Sequence, residues 1–466
     1  MNARPFDPHW TTDQPSLVAY LDDLCRTLTD AEKRGRKRSF NAQANFEAAI
    51  KAIVLDLYRA HASDPALEVG IASGQSRLQG RSESRYGATL LSPRSFRAAV
   101  DVLADNGHVI KTTPHWDDPS GRNSRTARFR ASPSLLAALG GAGASSVALS
   151  RYRGAEGIRL KDADKRLVEY GDFRFPSEAQ DRLKVINDML ESHWADLALT
   201  DEQLSEESAK IAGKRDDEAA QSFDFAARTV YRVFNNEDWD QGGRFYGAWW
   251  NSCPSHLRRH ILIDGKRTVE VDYSGLHAAM LYAEAGLPIP DDPYERCLTK
   301  ARNKAERRLV KQTFNALLNA GSVVGINEIE GYNTALTGRE WEGFKRFIVS
   351  NYPEFKSHFG SGVGLRLQRR DSDLAEAVML KFAKMGYACL PVHDSFIVHH
   401  ALQDDLTGAM QAAFETEFGA VGKVDYDIGV GEPVVPTGKP IEVDIDGLLH
   451  PNGYQARLQE FWSKQP

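Results

Sequence analysis

The chain has 466 residues, with 58 Lys+Arg against 64 Asp+Glu for a formal net charge of −6, and 42% of its residues are hydrophobic. That length holds two or three domains of ordinary size. No uninterrupted apolar stretch reaches the roughly 20 residues of a membrane helix, and the start MNARPFDPHWTTDQP lacks the apolar region of a signal peptide, so a soluble cytoplasmic protein with no membrane partner is expected.

Four cysteines, Cys25, Cys253, Cys297 and Cys389, stand without paired spacing, so neither a disulfide framework nor a zinc ribbon is suggested. The charge is uneven: residues 1–150 carry +4 and the remainder −10. The cluster 33-KRGRKR-38 reads first as a solvated surface segment. Residues 44–60 and 93–109 have apolar residues at helical spacing, and two β-like runs, 108–113 and 126–132, flank a turn-rich tip at 114–125. Helix, helix and long-tipped hairpin is the order of a winged helix-turn-helix. Arginines on the second helix and the wing, Arg94, Arg97, Arg122, Arg125 and Arg128, make residues 1–135 a candidate nucleic-acid-binding domain. The same pattern also serves protein docking.

Residues 136–152 are rich in small side chains and read as a linker, and 153–240 read as a charged, helical region whose clearest patterns, 177–194 and 203–234, suit a long helical hairpin. From 241 onward the texture changes. The run 266-KRTVEVDYSGLHAAMLYAEAG-286 alternates as a strand up to Asp272 and then turns helical. In 390-LPVHDSFIVHH-400, two apolar arms flank His393-Asp394-Ser395, the pattern of a tight hairpin with Asp394 at its tip. Two aspartates at strand ends suit a pair of divalent ions in displacement at phosphorus, although strand-end aspartates are also ordinary turn residues. Between them, 302–321 is helical in propensity, with Arg307, Lys311, Asn315 and Asn319 at steps of four on one face, suited to a triphosphate and a base. A further helix over 366–385 leads into the hairpin, and 242-GGRFYGAWW-250 offers an arginine and aromatics.

In this order the motifs of residues 242–400 resemble the palm and fingers of family A DNA polymerases and of the single-subunit phage and mitochondrial RNA polymerases. Asp272-Tyr273-Ser274 is similar to the family's first catalytic segment, Arg307 and Lys311 to its R-x-x-x-K helix, and His393-Asp394 to its final hairpin. Gln368 with Asp373, and Arg244, match further positions. The resemblance implies an α+β fold, a right-hand palm of antiparallel sheet and helices in a catalytic domain at 241–466, with helical fingers and a thumb-like region at 153–240. It implies Asp272 and Asp394 as ligands of two Mg²⁺ ions, with Mn²⁺ as the alternative, and Lys311 as a catalytic cation. Arg307, Lys311, Asn315, Asn319, Tyr273 and His277 are then nucleotide-binding, and Arg244, Gln368 and His393 contact nucleic acid.

Three departures are visible. His277 stands where the family's DNA polymerases carry the Glu that excludes a ribose hydroxyl, the helix lacks the Tyr-Gly pair, and Ser395 replaces Glu, as in the RNA polymerases. The expected function is template-directed extension of a strand from dNTPs or NTPs on a DNA template and primer, as a polymerase of a mobile element, phage or plasmid with replication-protein partners. The alternatives are a single-subunit RNA polymerase or primase, a catalytically degenerate winged-helix replication protein, and a histidine-aspartate metal phosphohydrolase. The last leaves the Arg307/Lys311 helix unexplained, and Pro391 with its β-branched neighbours favours strand.

Overall fold

The computed structural model describes residues 3–32, 34–71, 84–87, 92–115, 126–213, 223–299, 303–428 and 453–465. Among these the chain is a mixed α+β protein with two hydrophobic cores.

Three helices of the first core begin on a serine cap. Ser39, Ser92 and Ser132 accept from the N–H of Ala42, Ser95 and Leu135, with proline in the first turn after Ser92 and Ser132. These caps start Phe40–Ser63, Pro93–Asp105 and Pro133–Gly141. Together with Pro15–Ala31 they pack around a four-stranded sheet in the order Ala3–Pro5, Glu68–Ile71, Ala127–Ala131, Val109–Thr113. The first pair is parallel and the others antiparallel. Leu21, Phe46, Ile53, Phe96, Leu103 and Phe129 fill the space between. The two expected helices and two β runs are thus present, while Arg122 and Arg125 of the hairpin tip lie outside the described residues.

Residues 136–152 do not run as a free linker. Leu135 and Leu139 of Pro133–Gly141 are buried in the first core, and the Tyr58 hydroxyl donates to the Ala144 carbonyl at 2.6 Å. The small side chains permit close approach here. The region 153–240 is also not uniformly helical. Helices Arg174–Glu191 and Asp201–Gly213 form, but Ile158–Leu160, Ala195–Leu197 and Tyr231–Asn235 are strands. Within the helical pattern of 203–234, residues up to Gly213 are described as helix, and the aromatic, β-branched run Tyr231-Arg232-Val233-Phe234 pairs into a sheet, where such side chains pack well.

The second core is built on two sheets. In the smaller, Tyr231–Asn235 pairs parallel with Ile158–Leu160 and antiparallel with Asp238–Tyr246. In the larger, Lys266–Tyr273 is central and antiparallel to Ile261–Ile263, Ser395–His399 and Val424–Ile428; Leu390–Val392 and Ala195–Leu197 extend it. Helix Gly364–Met385 packs across Asp238–Tyr246 and against Arg174–Glu191 and Gln403–Phe418.

Charge stitches this helix to the small sheet. Arg232, 0% exposed, donates to the Gly243 carbonyl at 2.9 Å, to Glu376 at 2.8 Å, to the Ser372 hydroxyl at 2.8 Å and to Asp373 at 3.2 Å. Gly243 makes the approach feasible. Its φ is +83°, and a Cβ there would lie 2.6 Å from the Ser372 hydroxyl and 3.0 Å from the Phe234 ring. Gly243→Ala is therefore expected to lower stability by more than about 1 kcal/mol, read as an earlier urea midpoint; an unchanged midpoint would contradict the tight contact.

A last helix, Gly453–Ser463, joins the two cores. Glu460 accepts from Ser145, Arg457 pairs with Asp196 at 2.7 Å, and Phe461 packs on Trp194 with centroids 5.6 Å apart. No described helix is long and apolar enough to cross a membrane.

Candidate active site

Strand Lys266–Tyr273 alternates its side chains, with Val269, Val271 and Tyr273 buried, which leaves Asp272 on the opposite face near the strand end. A sharp exit follows. Gly275 adopts φ +60°, and a Cβ there would meet Pro293 at 2.8 Å, so the chain can turn at once into helix Leu276–Glu284. Asp272 pairs in register with Ser395, next to the hairpin tip formed by His393 and Asp394. The Tyr273 N–H donates to the Asp394 carbonyl at 3.3 Å. The two aspartates, far apart in sequence, thus meet at one sheet end.

The local electrostatics are unfavourable without a cation. Burial, and then the negative charge of Asp394, push the Asp272 carboxyl up to about 8, with Lys311 pulling the other way. One oxygen of Asp272 is buried with no hydrogen-bond partner. Asp425, on the strand facing Asp272 from the other side, adds a further negative charge. The orphaned oxygen of Asp272 beside Asp394 is a hard donor of the type that suits a divalent ion such as Mg²⁺, while no group of three or more His, Cys, Asp or Glu side chains among the described residues is placed to hold a metal ion.

Helix Lys304–Asn319 keeps the expected face. Leu309, Val310, Phe314 and Leu317 are buried, while Arg307, Lys311 and Asn315 are partly exposed and Asn319 is exposed. Lys311 lies close enough to act on the charge of both Asp272 and His277. Arg307 is held by Asp292 at 2.7 Å, the Asn315 side-chain oxygen is buried without a partner, and Asn319 donates to the Asn315 carbonyl at 2.8 Å.

On the other side, Arg244 donates twice to one oxygen of Asp371, at 2.8 and 2.5 Å. Asp371 is 2% exposed, and burial raises its carboxyl to about 7 against the pull of Arg244. His277 Nε2 lies 4.0 Å from the same oxygen and has no hydrogen bond; burial and then Arg244 lower its imidazole to about 4, so it is neutral at pH 7. Gln368, on the same helix as Asp371, is partly exposed.

No protein-family model matches the chain, and no curated protein matches it. Among solved structures it is similar to the "POL domain of Pol1 from M. smegmatis complex with DNA primer-template and dNTP", at 11% identity and a TM-score of 0.30 over 90% of this chain. It spans 66% of that chain's length, just under two thirds. At that level of likeness, the geometry of the site itself carries the functional reading.

One expected site residue is buried. Tyr273 is 2% exposed, donates its hydroxyl to the Met410 carbonyl at 2.7 Å and packs on Phe414. Strand alternation turns its side chain away from Asp272 into the core. Arg94 and Arg97 stand exposed on Pro93–Asp105, and Arg128 is tied to Glu68 at 3.5 Å, all in the first core's unit and not beside Asp272. Asp371 and Asp425 are the carboxylates that sequence reasoning missed. Asp425 was accessible through the alternation of 424-VDYDI-428; Asp371 sat inside a charged string that reads as a helix surface.

The hairpin itself is strained. His393 adopts φ +59° at the first loop position, which favours glycine. It is nevertheless exposed, and its ring lies 6.3 Å from that of Tyr246. His393→Gly should raise stability by up to about 1 kcal/mol, measured by thermal melting. A variant less stable than the parent would show the strain to be absent. Ser395 is explained structurally: its hydroxyl lies 2.6 Å from Glu270, which also receives Arg258 at 2.9 Å.

Proposed function

We propose that the chain is a template-directed nucleotidyltransferase, with a palm-like sheet carrying the catalytic carboxylates and a winged-helix-like N-terminal unit that binds DNA. The observation that carries this is the convergence of Asp272 and Asp394 at one sheet end, with an orphaned carboxylate oxygen and Lys311 beside them. Divalent ions, Mg²⁺ or Mn²⁺, held by Asp272 and Asp394 would neutralise the attacking and leaving oxygens of phosphoryl transfer. Lys311 and Arg307 offer positive charge to a triphosphate, Arg307 exchanging its Asp292 partner for phosphate. Asn315 and Asn319 lie along the same face for sugar or base contacts. Arg244, fixed by Asp371, and His393 at the tip are available to the growing strand.

DNA is the favoured product and template, in replication of a mobile element, phage or plasmid. A second reading, RNA or primer synthesis, is favoured by one observation: a neutral His277 with a free Nε2 stands beside the site, where it can accept a hydrogen bond from a sugar hydroxyl. The test is extension of a labelled primer on a DNA template by purified protein and Mg²⁺, with dNTPs and NTPs in parallel. Incorporation that disappears in Asp394→Ala is expected, and the preferred nucleotide decides between the readings. Phosphate release without template would favour a hydrolase. DNA binding without incorporation on any template would leave a replication scaffold.

A further inference from the structure

The small sheet has a second face. Strand Ile158–Leu160 and the following Lys161 bury Ile158 and Leu160 and leave Arg159 and Lys161 on the opposite side. Arg159 is in register with Val233 and, beyond it, Arg244; two residues earlier on the same face of the middle strand, Tyr231 is in register with Tyr246. The planar groups on this face form a series. The His393 and Tyr246 rings are 6.3 Å apart, Tyr246 and Tyr231 are 6.5 Å apart, and the Arg159 guanidinium lies 3.4 Å from the Tyr231 ring centre. Gly247, at φ +112°, makes room for Tyr231, since a Cβ there would meet the ring at 2.6 Å.

The charge on this face is unbalanced. Arg159 has no carboxylate within ion-pair distance among the described residues; the acid that acts on it, Asp7, is already bound by Arg151 at 3.1 Å and His9 at 2.9 Å. Burial and then the charges of Arg159 and Lys165 lower the Lys161 ammonium, a sign of cations gathered without acids. Aromatic rings and guanidinium planes in series, with uncompensated positive charge, are what unpaired bases and their phosphates require.

We propose that Tyr231, Arg159 and Lys161, continuous with Tyr246 and His393, bind a single strand of nucleic acid and lead it between the Asp272/Asp394 pair and the N-terminal unit. The site rests on the polymerase reading only for what the strand leads to. The test is fluorescence anisotropy of the full chain with a labelled oligothymidylate in EDTA, where no chemistry is needed, beside the same strand as a duplex. Tyr231→Ala should weaken single-strand binding about 5- to 100-fold, and Tyr231→Phe should bind as the parent does. Arg159→Ala should reduce the slope of log affinity against log salt by about 0.7. Parent-like binding by both alanine variants at unchanged melting temperature would overturn the site, as would an equal loss for duplex or no binding by the parent. If Tyr231→Ala does not fold, the salt slope of partly exposed Arg159→Ala decides. Single-strand binding that needs Tyr231, in a protein that never extends a primer, would sink the polymerase and leave this site standing; extension with Tyr231-independent binding would do the reverse.

Discussion

Asp272→Asn is expected to abolish nucleotide incorporation and at the same time to make the protein more stable at pH 8. The two effects share one cause. The carboxyl at 272 is raised from 3.8 to about 8 in the folded chain by burial and by Asp394. Between those pH values the folded state keeps a proton that the unfolded chain has released, so stability falls as pH rises through the window. Asparagine keeps the shape and removes the charge. Its advantage in melting temperature should be largest near pH 8 and shrink toward pH 4. Millimolar Mg²⁺ should raise the melting temperature of the parent and leave Asp272→Asn unmoved, because a ligand that binds only the folded state stabilises it. The loss of rate should exceed the roughly 10- to 100-fold that follows from removing an outer-shell partner of a metal ligand. Parent-like incorporation by the variant, or melting curves insensitive to Mg²⁺ in both proteins, would sink the metal assignment.

Glu376→Ala should be among the most damaging single changes away from the site, with a loss of about 3–5 kcal/mol in urea unfolding. Arg232 is fully buried and Glu376 is its nearest carboxylate, at 2.8 Å; Glu376 also receives Arg182 at 2.7 Å. Truncating the acid leaves a buried guanidinium short of countercharge, with Ser372, the Gly243 carbonyl and a 3.2 Å contact to Asp373. Replacing both partners, Arg232→Met with Glu376→Leu, should cost much less, since an apolar pair of similar size leaves nothing uncompensated. A Glu376→Ala loss below about 1 kcal/mol would mean that Arg232 reaches water. Because Asp371 sits five residues earlier on the same helix, the double variant also reports whether Arg244 keeps its place when the neighbouring charges are gone.

The hairpin at 390–400 and the strand ending at Asp272 were legible in the sequence because each couples a period-two apolar pattern to a single polar break. The face of Arg307, Lys311, Asn315 and Asn319 was legible for the same reason, with a period near four. Arg232 was not: an arginine between tyrosine and valine signals nothing until Glu376, 144 residues later, is opposite it. Asp371 was hidden likewise, since 369-RRDSD-373 reads as solvated helix and a buried carboxylate is recognisable only through its partner Arg244. The burial of Tyr273 was legible too, since the alternation that exposes Asp272 turns its neighbour inward.

The clasp made by helix Gly453–Ser463 bears on the order of assembly. Its residues are synthesised after every group they hold: Ser145 in the first core's unit, Asp196 and Trp194 in the second. Domains fold as units as the chain emerges, so both cores can form on the ribosome before the residues of this latch have been made. A nascent chain could already bring Asp272 and Asp394 together while this link to the first core is still missing, leaving contacts such as Arg59 with Asp224 at 2.5 Å to hold the two parts until then.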